Sequence, residues 1–175
     1  MKIIAFGASS SSSSINKALA SYTANLVAEA HVEVLDINQF DVPMFSEDKE
    51  KEIGQAPGAK AFLDAIASAD ALVISFAEHN GYYPAAYKNL FDWASRIQRD
   101  VYQNKPAIYL AASPGPGGAQ NVLKTATESA SFFGGQVLGA LSVPHFYEVF
   151  DMQNSQVTDE KLQQDLQALA MTLPR

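Results

Sequence analysis

Residues 1–16 read MKIIAFGASSSSSSIN. The apolar run Lys2–Phe6 predicts a buried β-strand, and a glycine follows it. Six serines come next, and from Ile15 the apolar side chains recur at helical spacing, with Ser14 placed to cap the helix. A strand, a turn of small residues and a helix start form an anion site, because the turn supplies N–H and O–H donors and the helix dipole adds positive potential. We therefore expect this stretch to bind a phosphate group.

The same alternation of strand and helix continues along the whole chain. Apolar runs predict strands at residues 2–6, 32–37, 71–76, 105–112 and 136–143. Helical spacing of apolar residues predicts helices at residues 14–29, 58–68, 84–99, 119–133 and 159–171. This alternation predicts a single α/β domain over residues 1–175, with a parallel sheet and helices on both faces. Residues 38–57 lack clear periodicity and predict a long surface loop that could act as a lid.

The loops after the first, third and fourth strands would meet in space. Ligands of a parallel sheet bind beyond the carboxyl ends of its strands, where the strand order reverses, and in the order 2-1-3-4-5 these strands are neighbours. Residues 78–84, EHNGYYP, contain an Asn-Gly turn and two tyrosines that could contact a planar ring. Residues 113–118, SPGPGG, could form a stiff wall against a flat ligand. Either loop could also be an ordinary connection.

The serine run does not match either of two familiar nucleotide-binding motifs. It lacks the Gly-Lys-Ser/Thr of a P-loop and the partner glycines of the dinucleotide fingerprint. Without those glycines, Asp36 is interpreted as a strand-end residue and not as a ribose ligand. No Gly-x-Ser-x-Gly elbow surrounds Ser9, so it is not a hydrolase nucleophile. A mononucleotide phosphate fits the run best, and the alternative is a flexible linker.

Composition excludes several classes of function. The formal net charge is −7 and no basic block occurs, so we expect no nucleic-acid partner. The chain has no cysteine, which excludes disulfides, thiolate zinc sites and cysteine nucleophiles. The three histidines lie far apart in sequence, so we expect no metal site. No apolar run reaches the roughly 18 residues of a membrane span, and no signal peptide is present, so we expect no membrane partner and a cytoplasmic location.

Three stretches together resemble the signatures of the NADPH-dependent FMN reductase family: GASSSSSSIN, AEHNGYYPAAYKNLFDW and SPGPGGAQ. The resemblance covers essentially the whole chain and implies a flavodoxin-like three-layer sandwich, with a five-stranded parallel sheet in the order 2-1-3-4-5. It implies FMN as cofactor and NADPH or NADH as co-substrate. The activity it implies is hydride transfer through FMN to a quinone, azo, metal-oxyanion or free-flavin acceptor. The flavin N5 would carry this chemistry, so no catalytic side chain is expected.

The resemblance also implies the residues that bind the cofactor. Those for the phosphate are Ser9, Ser14, Asn16 and the backbone N–H of Ile15, with Ser11 in the place of the family's arginine. Those for the isoalloxazine ring are Glu78, His79, Asn80 and Gly81 at one edge, and Ser113, Gly115, Gly117 and Gly118 at the other. Tyr82 and Tyr83 are expected to line the open face of the ring where substrates bind. Losing the arginine would weaken FMN binding, because a charge-assisted hydrogen bond is lost.

The helix after residue 84 carries two apolar faces. Tyr83, Tyr87 and Phe91 form one, and Ala86, Leu90 and Trp93 form the other. One face could meet a partner chain, and the resemblance implies a homodimer or homotetramer; the alternative is a helix buried on both faces. Four cations are expected to give a positive field near the site that attracts NADPH: Lys17, Lys88, Arg96 and Arg99.

Two other functions remain open at this point. A flavodoxin-type electron carrier without NAD(P)H oxidase activity would use its acidic surface to dock partners, although the loops match the reductase family better. A binding or regulatory protein that has lost its flavin would explain the missing arginine.

Overall fold

A five-stranded parallel sheet in the order β2-β1-β3-β4-β5 forms the centre of the computed structural model, which describes residues 1–174. Its strands are β1 (Lys2–Ala8), β2 (His31–Leu35), β3 (Ala71–Phe76), β4 (Lys105–Ala112) and β5 (Gly135–Val143). The helices are α1 (Ile15–Asn25), α2 (Glu47–Ile53), α3 (Pro57–Ala67), α4 (Ala85–Ile97), α5 (Gln120–Ser129), α6 (Phe146–Val149) and α7 (Glu160–Ala170). The predicted strand order is confirmed.

Helices cover both faces of the sheet because its central strands are apolar on both sides. Successive residues of β1 point to opposite faces. Ile4 and Phe6 join the core under α3, α4 and α5, while Ile3 and Ala5 join the core under α1 and α7. Every residue of β3 is buried, as expected for a strand in the middle of a parallel sheet.

Gly7 sets how closely β1 approaches α1. A Cβ atom at this position would overlap the backbone nitrogen of Lys17 in the first turn of the helix. Only glycine permits this approach. The start of α1, with the serine run before it, therefore lies directly over the carboxyl end of β1.

Residues 38–56 are not the loose surface loop that the sequence predicts. They contain part of a 3₁₀ turn (Ile37–Gln39) and the helix α2. The carbonyl oxygen of Pro43 accepts hydrogen bonds from Trp93 Nε1 at 2.7 Å and Asn89 Nδ2 at 3.0 Å. Phe45 packs edge-on against the Trp93 ring, with centroids 5.2 Å apart. The segment is docked on α4, and the lid interpretation is wrong.

Helix α4 is buried on two sides within the chain itself. Tyr87 and Leu90 belong to the core under the sheet. Trp93 is fully buried in a small third cluster with Ala56 and Ala59. This favours the alternative of a helix buried on both faces, although Ala86 is exposed.

Two details of the chain were not expected from the sequence. The predicted helix 119–133 ends as α-helix at Ser129 and continues as a 3₁₀ turn, Ala130–Phe133. After β5 the chain forms α6 and a small antiparallel hairpin, β6 (Phe150–Asp151) and β7 (Gln156–Val157). Within residues 1–174, no helix is both long and apolar enough to cross a lipid bilayer.

Candidate functional site

A cavity of about 210 Å³ lies beyond the carboxyl ends of β1, β3 and β4. The three loops that follow these strands all contribute to it, as the strand order predicts. Its lining consists of Ser9, Ser11, Ser13, Ser14, Ile15, Asn16, Ala77, Glu78, His79, Ala112, Ser113, Pro114 and Tyr147. Eight of these were predicted as cofactor-binding residues: Ser9, Ser11, Ser14, Ile15, Asn16, Glu78, His79 and Ser113.

The serine run forms a cradle of donors at one end of the cavity. Ser9 and Ser14 are buried, with 8% and 7% of their surface exposed, whereas residues 10–13 are exposed. Ser14 caps α1, because its Oγ accepts a hydrogen bond from the Lys17 backbone N–H at 3.2 Å. The first backbone N–H groups of α1, at Ile15 and Asn16, have no acceptor within the helix. They are therefore available to an anion, and the helix dipole favours one.

Asn16 is tied to the sheet through its side chain. Its Oδ1 accepts hydrogen bonds from the Ala112 backbone N–H at 2.9 Å and the Ser75 hydroxyl at 2.7 Å. Its Nδ2 donates to the Ala112 carbonyl at 3.2 Å. The side chain thus joins α1 to β3 and β4, and the group that Asn16 offers a phosphate is its backbone N–H.

A second tether holds the outer part of the serine run. Asn38 Nδ2 donates to the Ser10 carbonyl at 3.1 Å, and Asp36 forms an ion pair with Lys17 at 2.8 Å. The hydrogen bond from Lys17 and the bond from the Asn38 backbone N–H lower the pKa of Asp36. Asp36 is engaged with the protein, in agreement with its interpretation as a strand-end residue.

The loop after β3 makes the tight turn that Asn-Gly predicts. His79 and Tyr82 exchange backbone hydrogen bonds of 2.9 and 3.2 Å. Between them, Asn80 and Gly81 have φ angles of 53° and 79°, the pattern of a type I′ turn. His79 lines the cavity and is exposed, whereas Asn80 and Gly81 form the tip of the turn outside the lining.

Glu78 connects this turn to the next loop. Its carboxylate accepts hydrogen bonds from the Val122 backbone N–H at 2.9 Å and from Asn121 Nδ2 at 3.3 Å. These donors lie at the start of α5, where the capping residue Ala119 offers no side-chain acceptor. The carboxylate therefore caps α5, a role that sequence reasoning missed because the two residues lie far apart in the chain.

The loop after β4 is held by hydrogen bonds and contains two glycines whose Cβ positions are free of neighbouring atoms. Ser113 donates its hydroxyl to the Gly115 carbonyl at 3.1 Å, and Gly118 is buried beneath Ser142, which donates to its carbonyl at 2.7 Å. At Gly115 and Gly117 an added Cβ would meet nothing within 4 Å. Packing within the protein does not require glycine at either position, and the predicted ring-binding residues Gly115, Gly117 and Gly118 lie outside the cavity lining.

Tyr82 and Tyr83 do not line this cavity. They border a separate cavity of about 170 Å³ between α4 and α5, together with Lys88, Phe91 and Ser129. Tyr82 is 47% exposed on the turn, whereas burial raises the pKa of Tyr83 to about 12. The two tyrosines therefore lie beside the predicted ring site, towards α4.

None of the four cations that were predicted to give a positive field lines the cavity. The lining contains no lysine or arginine in the part of the chain that the structure describes. Lys88 pairs with Asp92 at 2.7 Å and Arg96 with Glu50 at 2.9 Å. Arg99 follows the carboxyl end of α4, far from the cavity, and its guanidinium stacks on Phe132 at 3.9 Å.

Five lining residues were not predicted, and among them Tyr147 comes from a part of the chain that the sequence did not suggest. It comes from α6, after β5, and β5 is an edge strand whose loop was not expected to reach the crevice. Across residues 1–174, no group of three or more His, Asp or Glu side chains is arranged to hold a metal ion.

The residues present fit FMN. Neutral hydroxyls and free helix-start amides suit a phosphate group, and Gly115 and Gly117 beside the cavity carry no side chain that would obstruct a flat ring. The carboxylate of Glu78 in the lining and that of Asp36, which pairs with Lys17 of α1, are both already bound by the protein.

Comparison with known proteins agrees with this geometry. The family model described as NADPH-dependent FMN reductase matches residues 1–148. An NAD(P)H-dependent FMN reductase of Pseudomonas aeruginosa is 29% identical over 181 residues, covering 100% of this chain and 96% of that protein. A 2-hydroxy-1,4-benzoquinone reductase of a Burkholderia species is 35% identical over 104 residues, 58% of this chain and 55% of that protein.

A solved structure supports the fold. The NAD(P)H:(acceptor) oxidoreductase FerB of Paracoccus denitrificans superposes with a TM-score of 0.79 at 24% identity, over 97% of this chain and 93% of that one. The flavodoxin-like fold, the oxidoreductase class and the use of FMN with NAD(P)H are thereby confirmed. The chain belongs to the NADPH-dependent FMN reductase family.

Proposed function

We propose that the protein binds FMN in the cavity above β1, β3 and β4 and uses it to pass hydride from NADPH or NADH to a quinone. The observation that carries the proposal is that the donor-rich serine cradle and the first residues of the loops after β3 and β4, among them His79 and Ser113, line one cavity. A phosphate and a flat ring need these different walls at the two ends of one site.

In this proposal the chain's own residues hold and orient the cofactor. The hydroxyls of Ser9 and Ser14 and the backbone N–H groups of Ile15 and Asn16 bind the phosphate. The backbone of residues 78–81 and of residues 113–118 borders the ring. FMN, when bound, supplies the group that accepts and donates hydride. The protein needs no acid or base for this step.

Quinones are the proposed acceptors because of the relatives' names and the position of the turn tyrosines. The Burkholderia relative is named for a benzoquinone, which is a small planar molecule. Tyr82, exposed on the turn, and Tyr83 beside it offer aromatic surface on the α4 side where such a molecule could stack. A homodimer that covers this side, and a cytoplasmic location, remain proposals from the sequence.

The first experiment is the visible absorption spectrum of the purified protein after incubation with FMN and desalting, recorded before and after NADPH is added under nitrogen. We expect two flavin bands that bleach with NADPH and return when a benzoquinone is added. A protein that retains FMN but does not bleach would be an electron carrier. A protein that retains no FMN would contradict the proposal.

A further inference from the structure

The segment after β5 adds a fourth wall to the cavity. Tyr147, in the first turn of α6, lines it together with Ser113 and Pro114. Its side chain is highly exposed, with 62% of the residue's surface accessible, compared with 47% for Tyr82. A tyrosine at a cavity rim offers a ligand both an apolar ring face and a hydroxyl donor.

The backbone at Tyr147 is fixed by its neighbours in sequence. Phe146 is fully buried and stacks on Phe150, with ring centroids 4.8 Å apart and an angle of 21° between the planes. His145 has a φ angle of 49°, in the left-handed region that residues other than glycine seldom adopt. This turn starts α6 directly at the end of β5.

The same turn is bonded to the loop after β4. The backbone N–H groups of His145 and Phe146 donate to the carbonyls of Gly115 and Ser113 at 3.0 and 3.1 Å. Because Ser113 also lines the cavity, Tyr147 has a defined position relative to the other walls.

Contacts of the residues that follow Tyr147 place this segment beside α1 and the serine run. Phe150 packs edge-on against Tyr22 of α1, with centroids 5.8 Å apart. Met152 borders a neighbouring pocket together with residues 12–14 of the serine run. The segment after β5 therefore lies on the α1 side of the sheet, whereas the turn tyrosines lie between α4 and α5.

We infer that Tyr147 positions FMN, with its hydroxyl donating to the phosphate and its ring covering the chain that links phosphate and flavin ring. The inference rests on the proposed function. The lining offers a phosphate hydroxyls and amides but no lysine or arginine in the described chain, so one further hydroxyl donor would strengthen the cradle. A phenol supplies a directed hydrogen bond at this position without a charge.

The test compares the affinities of two flavins for the apoprotein, measured by quenching of flavin fluorescence. FMN carries the phosphate and riboflavin does not. Tyr147→Phe should raise the Kd for FMN about three- to tenfold, the effect of one hydrogen bond, and leave the Kd for riboflavin unchanged. Tyr147→Ala should raise both values, because the ring contact is also lost.

Two matched controls use residues away from the cavity. Tyr22→Phe removes a hydroxyl from α1, and Phe132→Ala removes an aromatic ring that is 58% exposed. Neither should change the ratio of the two Kd values. The inference would be overturned if the ratio of the Kd for FMN to the Kd for riboflavin is the same in Tyr147→Phe as in the unmodified protein, whether neither Kd changes or both rise by the same factor. If the unmodified protein binds neither flavin, the proposed function itself fails, which separates the two outcomes.

Discussion

Two segments of the chain lack hydrophobic periodicity, and the fold uses them in opposite ways. The serine run, residues 9–14, leaves four of its side chains exposed at the end of a cavity. The segment 38–56 is instead docked on α4, where Trp93 and Asn89 bind its backbone. The serine run is held mainly by its own turn and helix cap, with one bond from Asn38, and it faces a cavity. The backbone of residues 38–56 is bound instead by side chains of α4, so this segment becomes part of the packed fold.

The largest expected effect concerns the anchor of the serine run. Asn16→Ala would leave the Ser75 hydroxyl and the Ala112 backbone groups buried without their partner. Each such group costs about 1–3 kcal/mol, so we expect the free energy of unfolding to fall by about 3 kcal/mol in urea denaturation. Asn25→Ala is the matched control, because Asn25 is exposed and bonds only within α1. Equal losses in the two variants would show that Asn16 does not anchor the run.

The next effect concerns the docked segment. Trp93→Phe removes the hydrogen bond to the Pro43 carbonyl and leaves a gap beside Phe45. We expect a loss of about 2 kcal/mol and faster cleavage by trypsin at Lys49 or Lys51 in α2. Lys124→Gln is the control, because the Lys124–Glu128 pair is exposed on α5 and should contribute little. Unchanged cleavage in Trp93→Phe would mean that the segment is held by other contacts.

The same contrast explains which parts of the fold the sequence could predict. The strands could be predicted because apolar runs such as Ala71–Phe76 are local patterns that burial on both faces requires. The docked segment could not, since its order depends on a Trp93 bond to a backbone carbonyl fifty positions away. Every residue has a backbone carbonyl, so the residue type at the accepting position gives no sign that such a hydrogen bond will form.

The candidate site also has features that the sequence could predict and features that it could not. The serine cradle and the Asn-Gly turn follow from local chemistry, so residues such as Ser14 and His79 could be placed from the sequence. The engagement of Asn16 and Glu78 with distant backbone could not be predicted, because it depends on which elements become neighbours. Tyr147 was missed because its loop follows an edge strand and crosses back towards α1.

A smaller effect tests whether only the cavity side of the serine run contacts the ligand. Ser14→Ala removes the cap of α1 and a hydroxyl from the cavity, so we expect the Kd for FMN to rise about tenfold. Ser12→Ala removes an exposed hydroxyl that borders the neighbouring pocket and not this cavity, and the Kd should not change. Isothermal titration of the apoproteins with FMN measures both values. A similar rise in both variants would mean that the whole run, and not its cavity side alone, contacts the ligand.

The smallest effect concerns the place where the two segments meet. Asp36 binds Lys17 of α1 and the Asn38 backbone N–H, while Asn38 binds the Ser10 carbonyl. Because these bonds lower the pKa of Asp36 in the folded protein, its ionised form stabilises the fold above the unfolded pKa. That contribution is lost as the pH falls through the lower, folded pKa.

Asp36→Asn should therefore be less stable than the unmodified protein at pH 7, by less than about 1 kcal/mol because the side chain is partly exposed. Urea denaturation at pH 7, 5 and 3 should show a difference that shrinks on acidification, since the protonated carboxyl resembles the amide. High salt at pH 7 should reduce the difference as well, because it screens an exposed ion pair. A difference that persists at low pH and in high salt would mean that the shape of the side chain, and not its charge, joins the serine run to the docked segment.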